Sequence, residues 1–596
     1  MARLSMLSRS SGFSYISKRP CPPRIFIRAR LLPSSRRSAS TASTNKMLTF
    51  SWSGALIGMG AWGGVMALLA LERRIKRTTL AEEPASNFTP NMLERGDSAS
   101  SDSSVGKRGG SSASTLPLMD VGPIIYDLSG PNLHGAYNDF VALLGEENVD
   151  VRHGELVSRS STSWSPAPNG ELDIPSVIVF PRHTEDVSNI AKICHSRRIP
   201  MIAFSGGTSL EGTLAAQHKE VCVDFNRHMN KIVEIRKDDM DVTVQPAVGY
   251  MELNQILEAE GLFFPVDPGP GAQIGGMISQ GCSGTNAYRY GTMKDWVLGL
   301  EVVLADGTII KTRGRPRKSS AGFDLTRLFT GSEGTLGFIT EAHIKITRAP
   351  QNLRIAVAQF PTVGDAVKMA VKVLQSGHQL EAMELLDELT MHGVNEGGYC
   401  TASWDEKPTL FLKLAGPSPE FVAETANTVE GFAKACGTTL FRLAQTAEEG
   451  DEIWHARKTA LWSTIALKKD PSDVFISSDP CVPISQLPEI VKRSQELIAE
   501  AGVLGNVLGH VGDGNIHTSV LYGAGEKEAA MRIMSEVQRL AADLDGTVSG
   551  EHGLGLGYRH QLAYELGEES VDAMRRIKFA LDPLCLMNPG KMITVE

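Results

Sequence analysis

Between Pro265 and Asn286 the chain reads Pro-Val-Asp-Pro-Gly-Pro-Gly-Ala-Gln-Ile-Gly-Gly-Met-Ile-Ser-Gln-Gly-Cys-Ser-Gly-Thr-Asn, with six glycines in 22 residues. That density is too high for an ordinary helix or strand, and bare main chain of this kind can lie flat against a large planar ligand. A second run, Ser205-Gly206-Gly207-Thr208-Ser209-Leu210-Glu211-Gly212, directly follows the apolar stretch Pro200–Phe204. Consecutive N–H groups in such a turn form a nest for phosphate oxygens, and the Thr208 and Ser209 hydroxyls add donors. Alone, the run is better read as a simple strand-end turn. The body of the chain lacks both GxGxxG and GxxxxGK[ST], so a dinucleotide bound here must be held by another fold.

The first part of the chain reads as an address. Met1 to Leu71 contains no Asp or Glu, while Arg3, Arg9, Lys18, Arg19, Arg24, Arg28, Arg30, Arg36 and Arg37 alternate with Ser and apolar residues. This is the composition of a mitochondrial transit peptide, expected over 1–46. Residues 48–71 are uncharged for 24 positions, long enough to cross a bilayer as one helix. Lys46 precedes that stretch and Arg73, Arg74, Lys76 and Arg77 follow it, which leaves its orientation open. Residues 72–116, rich in Ser and Gly from Ser98 to Thr115, read as a flexible linker. The expectation is a folded body anchored to the mitochondrial inner membrane.

Composition narrows what that body does. The whole chain carries 59 Lys+Arg against 68 Asp+Glu, and with an acid-free leader the remainder is markedly acidic. That argues against nucleic acid and suits a basic protein partner. Eight cysteines without a CxxC spacing indicate neither a zinc knuckle nor a disulfide framework.

From Pro175 onward, β-rich runs such as Ser176–Phe180, Pro200–Phe204 and Val221–Phe225 alternate with helical patterns such as Thr184–His195. Beyond Ala349-Pro350 a second α+β region is expected, with strands at Arg354–Phe360 and Thr409–Leu414 and helices at Val363–Ser376, Pro419–Ala435 and Leu487–Ala501.

Several segments together carry a resemblance. Pro181-Arg-His-Thr-Glu-Asp-Val187, Ser205–Gly212, Asp267–Asn286, Arg289-Tyr-Gly-Thr292 and Gly331-Ser-Glu-Gly-Thr-Leu-Gly-Phe338 resemble the FAD domain of the vanillyl-alcohol-oxidase/p-cresol-methylhydroxylase (PCMH-type) family. The later half, ending in Asn588-Pro-Gly-Lys591, resembles that family's FAD-linked oxidase C-terminal domain. Trp454-His-Ala-Arg457, Asp479–Ser485 and His510-Val-Gly-Asp-Gly-Asn-Ile-His517 are most similar to its cytochrome-linked D-lactate dehydrogenase branch. The match covers Asp173 to Lys591 and implies an α+β fold. A two-subdomain PCMH-type FAD-binding domain would span 117–350, and a C-terminal α+β substrate domain 351–596.

The resemblance implies that Gly206, Gly207, Thr208 and Ser209 hold the FAD pyrophosphate. Pro268, Gly269, Gly275, Gly276, Cys282, Ser283 and Gly284 would line the flavin. Glu333, Gly334 and Ile339 would close the site near the nucleotide half, and Asn588 joins the cofactor set. Covalent attachment in this family uses a His or Cys in defined places. The first glycine loop has no histidine, so noncovalent FAD is expected, with Cys282 the residue to check.

His510 and His517 flank Asp513-Gly514, a good hairpin turn that would bring two imidazoles together on paired strands. Glu551 and His552 follow a helix and the turn-like Thr547–Gly550. Two imidazoles and a carboxylate suit a divalent ion such as zinc or manganese, although each histidine alone fits a hydrogen-bonded structural role. With the resemblance, His510, His517 and Glu551 become the expected metal triad. Arg457 is the expected clamp for a substrate carboxylate, the bland alternative being a surface Arg on an amphipathic helix. His552 is the expected base for the hydroxyl proton. If residues 551–552 are extended, Glu551 and His552 point apart to different partners.

The implied activity is oxidation of a D-2-hydroxy acid, D-lactate first, with electrons passed to cytochrome c from the intermembrane-space side. Three rivals remain. One is a D-2-hydroxyglutarate dehydrogenase using Lys468 and Lys469 for a second carboxylate. Another is an alkylglycerone-phosphate synthase-like FAD transferase, whose usual peroxisomal address is not seen in Ile593-Thr-Val-Glu596. The last is a noncatalytic membrane-tethered binding module.

Overall fold

The β-rich runs after Pro175 build a sheet with both faces covered. β1 (Val149–Asp150), β2 (Val177–Val179), β3 (Met201–Phe204) and β4 (Val221–Asp224) lie in the order β1-β2-β4-β3. β2, β4 and β3 are parallel and β1 pairs antiparallel with β2. The helix Thr184–Arg197 makes the crossover from β2 to β3. Strands buried on both sides read as continuous apolar runs. Accordingly, Val177, Met201, Val221 and Val223 meet Val187, Ile190 and Cys194 of that helix, while Ile178, Ile202 and Cys222 face a second cluster.

The computed structural model describes residues 123–595 apart from 163–164 and 166–169, all within one compact unit. The expected transit peptide, apolar span and linker therefore lie outside the described residues. Among the described residues, no helix is long and apolar enough to cross a membrane.

A second, antiparallel sheet follows. β5 (Ile232–Arg236), β6 (Asp241–Val244), β8 (Val297–Val303), β9 (Ile309–Lys311) and β10 (Phe338–Lys345) take the order β5-β6-β10-β8-β9. A two-stranded ribbon pairs β7 (Leu262–Phe263) with β11 (Thr347–Arg348). Inside the glycine-dense segment, where no ordinary helix is expected, Ile274–Gln280 forms a seven-residue helix ended by left-handed Gly281. Tertiary contact explains it: the Gly275 N–H donates to Pro246 O at 2.8 Å, and a Cβ at Gly275 would stand 2.5 Å from Pro246 Cβ. Only glycine lets the helix press this closely on its neighbour.

The second half is built on a seven-stranded antiparallel sheet. Its strands are β12 (Arg354–Gln359), β13 (Ala382–Leu386), β14 (Thr409–Leu414), β15 (Leu440–Leu443), β16 (Val474–Ser478), β17 (Leu504–His510) and β18 (Asn515–Tyr522), in the order β15-β12-β14-β13-β17-β18-β16. One face carries Ala356, Met383, Leu385, Leu412, Val507 and Val520 against the helices Val363–Ser376, Pro419–Ala435, Leu487–Ala501 and Lys527–Asp543. The first of these helices shows why they form. Thr362 caps it by accepting from Asp365 N, Ala366, Val367, Met369, Ala370 and Val373 make its buried stripe, and left-handed Gly377 ends it.

The opposite face carries Val357, Ala382, Leu386, Phe411 and Leu508 against Met391, Ile453, Trp454 and Ala456 of the helices Glu388–Glu396 and Ala447–Ala466. β13 is not evident from sequence, because Ala-Met-Glu-Leu-Leu is a good helix former. Pairing with both β14 and β17 overrides that preference.

The end of the chain returns to the first half. After the helix Glu568–Leu581, Asn588 N donates to Met201 O and Met201 N to Leu586 O, both at 2.7 Å, extending the first sheet beside β3.

Candidate active site

The antiparallel register puts four polar side chains on one face of four adjacent strands. Leu385 pairs with Gly509, so Glu384 stands opposite His510, and Leu508 pairs with His517. Glu384 pairs with Phe411, two residues from Lys413 on β14. Side chains alternate along a strand, so Lys413, Glu384, His510 and His517 form a row across β14, β13, β17 and β18. This is the face that carries the 447–466 helix, and with it Arg457.

The expected hairpin brings the histidines together. Their rings are 5.4 Å apart and perpendicular. Both direct Nε2 at one oxygen, Glu551 Oε1, at 3.2 Å from His510 and 3.3 Å from His517. His510 Nδ1 lies 2.9 Å from both Glu384 oxygens, and His517 Nδ1 lies 3.7 Å from Asp479 Oδ1. Burial alone would lower the pKa of His510, but the Glu384 and Glu551 carboxylates outweigh it and hold it well above its ordinary value. Burial dominates at His517 and keeps it low. At Glu551 burial pushes upward, yet the hydrogen bonds from the two histidines hold the carboxyl well below the usual range.

Two Nε2 atoms and a carboxylate oxygen converge in this cluster, with Nδ1 of each ring turned toward a further carboxylate. Ligands about 2.1 Å from a common ion would sit roughly 3 Å from one another, and metal-bound imidazoles commonly have such a carboxylate behind them. The set His510, His517 and Glu551 thus fits a divalent cation. Asp479, His517, Glu551 and His552 also bring ligand atoms within 4.8 Å of one another. Asp479, however, is already spent: Oδ2 accepts from Glu551 N and His552 N, each at 2.7 Å, and from Ser549 Oγ at 3.0 Å, and Oδ1 accepts from Asn515 Nδ2 at 2.8 Å. Asp479 organises the loop that presents the cluster.

That loop decides the conformation left open for residues 551–552. Residues 551–552 are a bend, not a strand, because both their N–H groups turn onto Asp479. Their side chains still reach different partners. Glu551 faces the histidines, while His552 Nδ1 lies 3.2 Å from Glu211 Oε1 and its ring stacks on His517 at 5.1 Å and 18°. Burial would lower His552, but Asp479 and Glu211 outweigh it and raise it to about 9.

The two glycine-rich segments meet. A Cβ at Gly206 would lie 2.8 Å from Gly271 O, so the first loop rests main chain to main chain on the second. Gly207 and Gly284 have φ of 64° and 149°, and a Cβ at Gly269 would meet nothing within 4 Å. Buried polar atoms here lack partners: Ser209 Oγ, Thr213 Oγ1, Gln273 Oε1 and Gln280 Oε1. Buried polar groups are normally satisfied, so these donors and acceptors fit a bound group with phosphate and heteroaromatic edges. Ser283 Oγ, in the second segment, donates to Glu551 Oε2 at 2.7 Å. The cradle and the histidine cluster are therefore parts of one site.

Residues 175–313 match the family of FAD binding domains, and residues 349–592 match the FAD linked oxidases, C-terminal domain. The chain belongs to the FAD-linked oxidases. This FAD-linked oxidase is 43% identical over 455 residues to the mitochondrial D-lactate dehydrogenase [cytochrome] of Kluyveromyces lactis, covering 76% of this chain and 79% of that one. It is 40% identical over 491 residues to D-lactate dehydrogenase [cytochrome] 1 of Saccharomyces cerevisiae, covering 81% and 84%. Among solved structures, 4-ethylphenol oxidase from Gulosibacter chungangensis shares the fold, with a TM-score of 0.64 at 18% identity over 78% of this chain and 97% of that one.

Other sequence-derived residues of this FAD-linked oxidase fall as follows. Arg457 is no surface residue: its side chain is 11% exposed. Its Nε and Nη2 donate to Glu384 Oε2 at 3.0 and 2.7 Å, so this edge of the guanidinium is spent on the protein, leaving only part of the expected bidentate clamp. Both oxygens of the Glu333 carboxylate are engaged by main chain, accepting from Leu554 N at 2.7 Å and Gly555 N at 2.9 Å. Those bonds hold Glu333 at a φ of 52°, next to left-handed Gly334. The Asn588 amide is engaged at both ends, donating to Glu333 O and accepting from Lys591 Nζ, so it braces the Glu333–Gly334 turn.

Ile339 is a buried residue of β10 paired with Val302. Thr208, Pro268 and Gly276 line the same cradle, with Gly276 close to Ser205 and Thr208 close to Gly271, and Tyr250 OH donates to Pro268 O at 2.8 Å. Cys282 is a free, buried thiol pushed well above its ordinary pKa, chiefly by burial. Lys468 and Lys469 follow the end of the 447–466 helix, about 16 Å along its axis from Arg457, and Lys469 is exposed. Sequence reasoning missed Glu384 and Lys413, which carry no motif of their own, and gave no role to Glu211 within the first glycine run.

Proposed function

We propose that this chain oxidises D-lactate, or a closely related D-2-hydroxy acid, to the 2-oxo acid, using noncovalent FAD and passing electrons to a cytochrome. The observation that carries this reading is the Ser283–Glu551 hydrogen bond, which joins a histidine–carboxylate cluster to a glycine-lined cradle. Relatives named D-lactate dehydrogenase [cytochrome] support the substrate and the acceptor.

Bound FAD supplies the acceptor for the hydride from C2. A divalent cation such as zinc or manganese, held by His510, His517 and Glu551, would supply a Lewis acid that eases loss of the hydroxyl proton. Arg457 engages the substrate carboxylate with the N–H groups that Glu384 leaves free. His552 takes the hydroxyl proton from its neutral form, whose share grows as pH rises toward the pKa of about 9 set by Asp479 and Glu211, and the same carboxylates stabilise the imidazolium that results. Burial of the cluster excludes bulk water and strengthens each of these interactions.

The mitochondrial names of the relatives, together with the acid-free leader, favour a mitochondrial protein. Residues 48–71 would anchor it in the inner membrane, with the acidic body on the intermembrane-space side, where basic cytochrome c is accessible. Protease treatment of mitoplasts tests that placement: a body cleaved only after matrix lysis excludes direct reduction of cytochrome c.

Anaerobic titration of the purified holoprotein with D- and L-lactate tests the chemistry. Bleaching of the flavin band by the D enantiomer alone is expected. A flavin-loaded protein bleached by neither enantiomer would sink the reading. Replacing both His510 and His517 by Ala should leave the flavin spectrum but remove rapid bleaching, whereas full turnover in that variant would remove the cation from the scheme.

A further inference from the structure

Lys413 is an ammonium that the protein does not satisfy. It belongs to β14, on the face shared by Glu384 and His510. Its Nζ lies 4.1 Å from the centre of the Trp454 ring and 3.4 Å from Asn286 Oδ1. An ammonium carries three donors, and Asn286 accounts for one of them at long range. No carboxylate lies within 4.0 Å of it among the described residues.

The acids whose charge reaches Lys413 are committed elsewhere. Asp267 accepts from Thr285 Oγ1 at 2.6 Å and Asn286 N at 2.9 Å. Glu384 is bound by His510 and Arg457. Glu381 accepts from Tyr290 OH at 2.6 Å and sits 3.4 Å from Arg289 Nε. Burial pulls the amine below its ordinary pKa, and Asp267 only partly offsets this. A buried charge without a full set of partners is costly, and such a group in a site points to a ligand of opposite charge.

The position says which ligand. Trp454, beneath the amine, and Arg457 are three residues apart on one helix and so share its face. Lys413 and Glu384, the partner of Arg457, are diagonal neighbours across β14 and β13. Arg457 has spent Nε and Nη2 on Glu384 and cannot present that edge to a substrate carboxylate. One oxygen of such a carboxylate can take the remaining guanidinium N–H groups, and the other needs a second cation.

We infer that Lys413 is that cation, a substrate-binding residue that holds the carboxylate of the 2-hydroxy acid jointly with Arg457. This rests on the reading of the site as a hydroxy-acid dehydrogenase. It places Lys413 on the carboxylate common to all 2-hydroxy acids, a role separate from the second carboxylate for which Lys468 and Lys469 are the candidates.

The test uses holoprotein and oxalate, an unreactive anion, followed by perturbation of flavin absorbance. Lys413→Met keeps the buried stem and removes the charge. The expected result is at least a tenfold rise in the oxalate Kd and in KM for D-lactate, with flavin content retained. Lys413→Arg should restore most of the oxalate affinity. An oxalate Kd within twofold of wild type in Lys413→Met would overturn the inference. So would a lowered flavin midpoint potential with oxalate binding intact, because the ammonium would then serve the reduced flavin. If D-lactate fails to bleach the wild-type flavin, the functional reading fails by itself, and the oxalate measurement still judges Lys413.

Discussion

Glu384 stands opposite His510 in the central sheet, with both carboxylate oxygens 2.9 Å from Nδ1. The same carboxylate holds Nε and Nη2 of Arg457. One side chain, fully buried, therefore sets the ring orientation of a proposed metal ligand and the pose of the proposed substrate clamp. A carboxylate behind an imidazole also makes it a better ligand.

Glu384→Gln should weaken both functions at once. Metal retained after dialysis, read by elemental analysis, should correspond to an affinity about 10–100-fold lower, and KM for D-lactate should rise. Loss of one effect without the other would mean that the shared carboxylate does not couple them.

Gly275→Ala should disturb the cradle. Its new Cβ would fall 2.5 Å from Pro246 Cβ and 3.1 Å from Pro246 O, and relieving that overlap costs about 1–3 kcal/mol. Flavin content per protein should drop together with Tm. A fully yellow variant of unchanged Tm would show that the helix Ile274–Gln280 can move away at no cost.

Cys282 lines the cradle as a neutral thiol, since burial, with Glu551 and Asp267 nearby, opposes its ionisation. The thiolate is the reactive form, so the flavin should not be attached there. Acid denaturation should release all of the chromophore into the supernatant, and Cys282→Ser should bind FAD as wild type does. Yellow precipitated protein would contradict this.

Lys591 gives a pH signature of stability. It is 1% exposed, and burial lowers it from 10.5 to about 8 although Glu220 pulls the other way. The unfolded chain then holds more protons than the folded one between about pH 8 and 10.5, so this group destabilises fully below pH 8 and the cost is relieved as pH rises. The shift corresponds to at most about 3 kcal/mol. Lys591→Met should remove this term, so its Tm relative to wild type should be highest near pH 7 and decline toward pH 10. A difference independent of pH would mean that the amine keeps an ordinary pKa.

Local pattern made much of the second domain readable. The helices 363–376, 419–435 and 487–501 and the strand 409–414 have the bounds that their apolar periodicity predicts. The hairpin between His510 and His517 follows from its turn residues. These features depend on neighbours a few residues apart, which a sequence displays directly.

The sequence alone determined that two glycine-rich segments and a His-turn-His hairpin exist, because backbone freedom and turn chemistry are local properties. Only the tertiary structure decided that they form one site. Glu384 lies in a stretch that reads as helix until β14 and β17 pair with it, and Lys413 is an ordinary strand lysine until its neighbours' acids are seen to be occupied. Ser283 and Glu551 meet across 268 positions. Charge satisfaction and long-range pairing depend on which groups share a small volume, and that is set by packing.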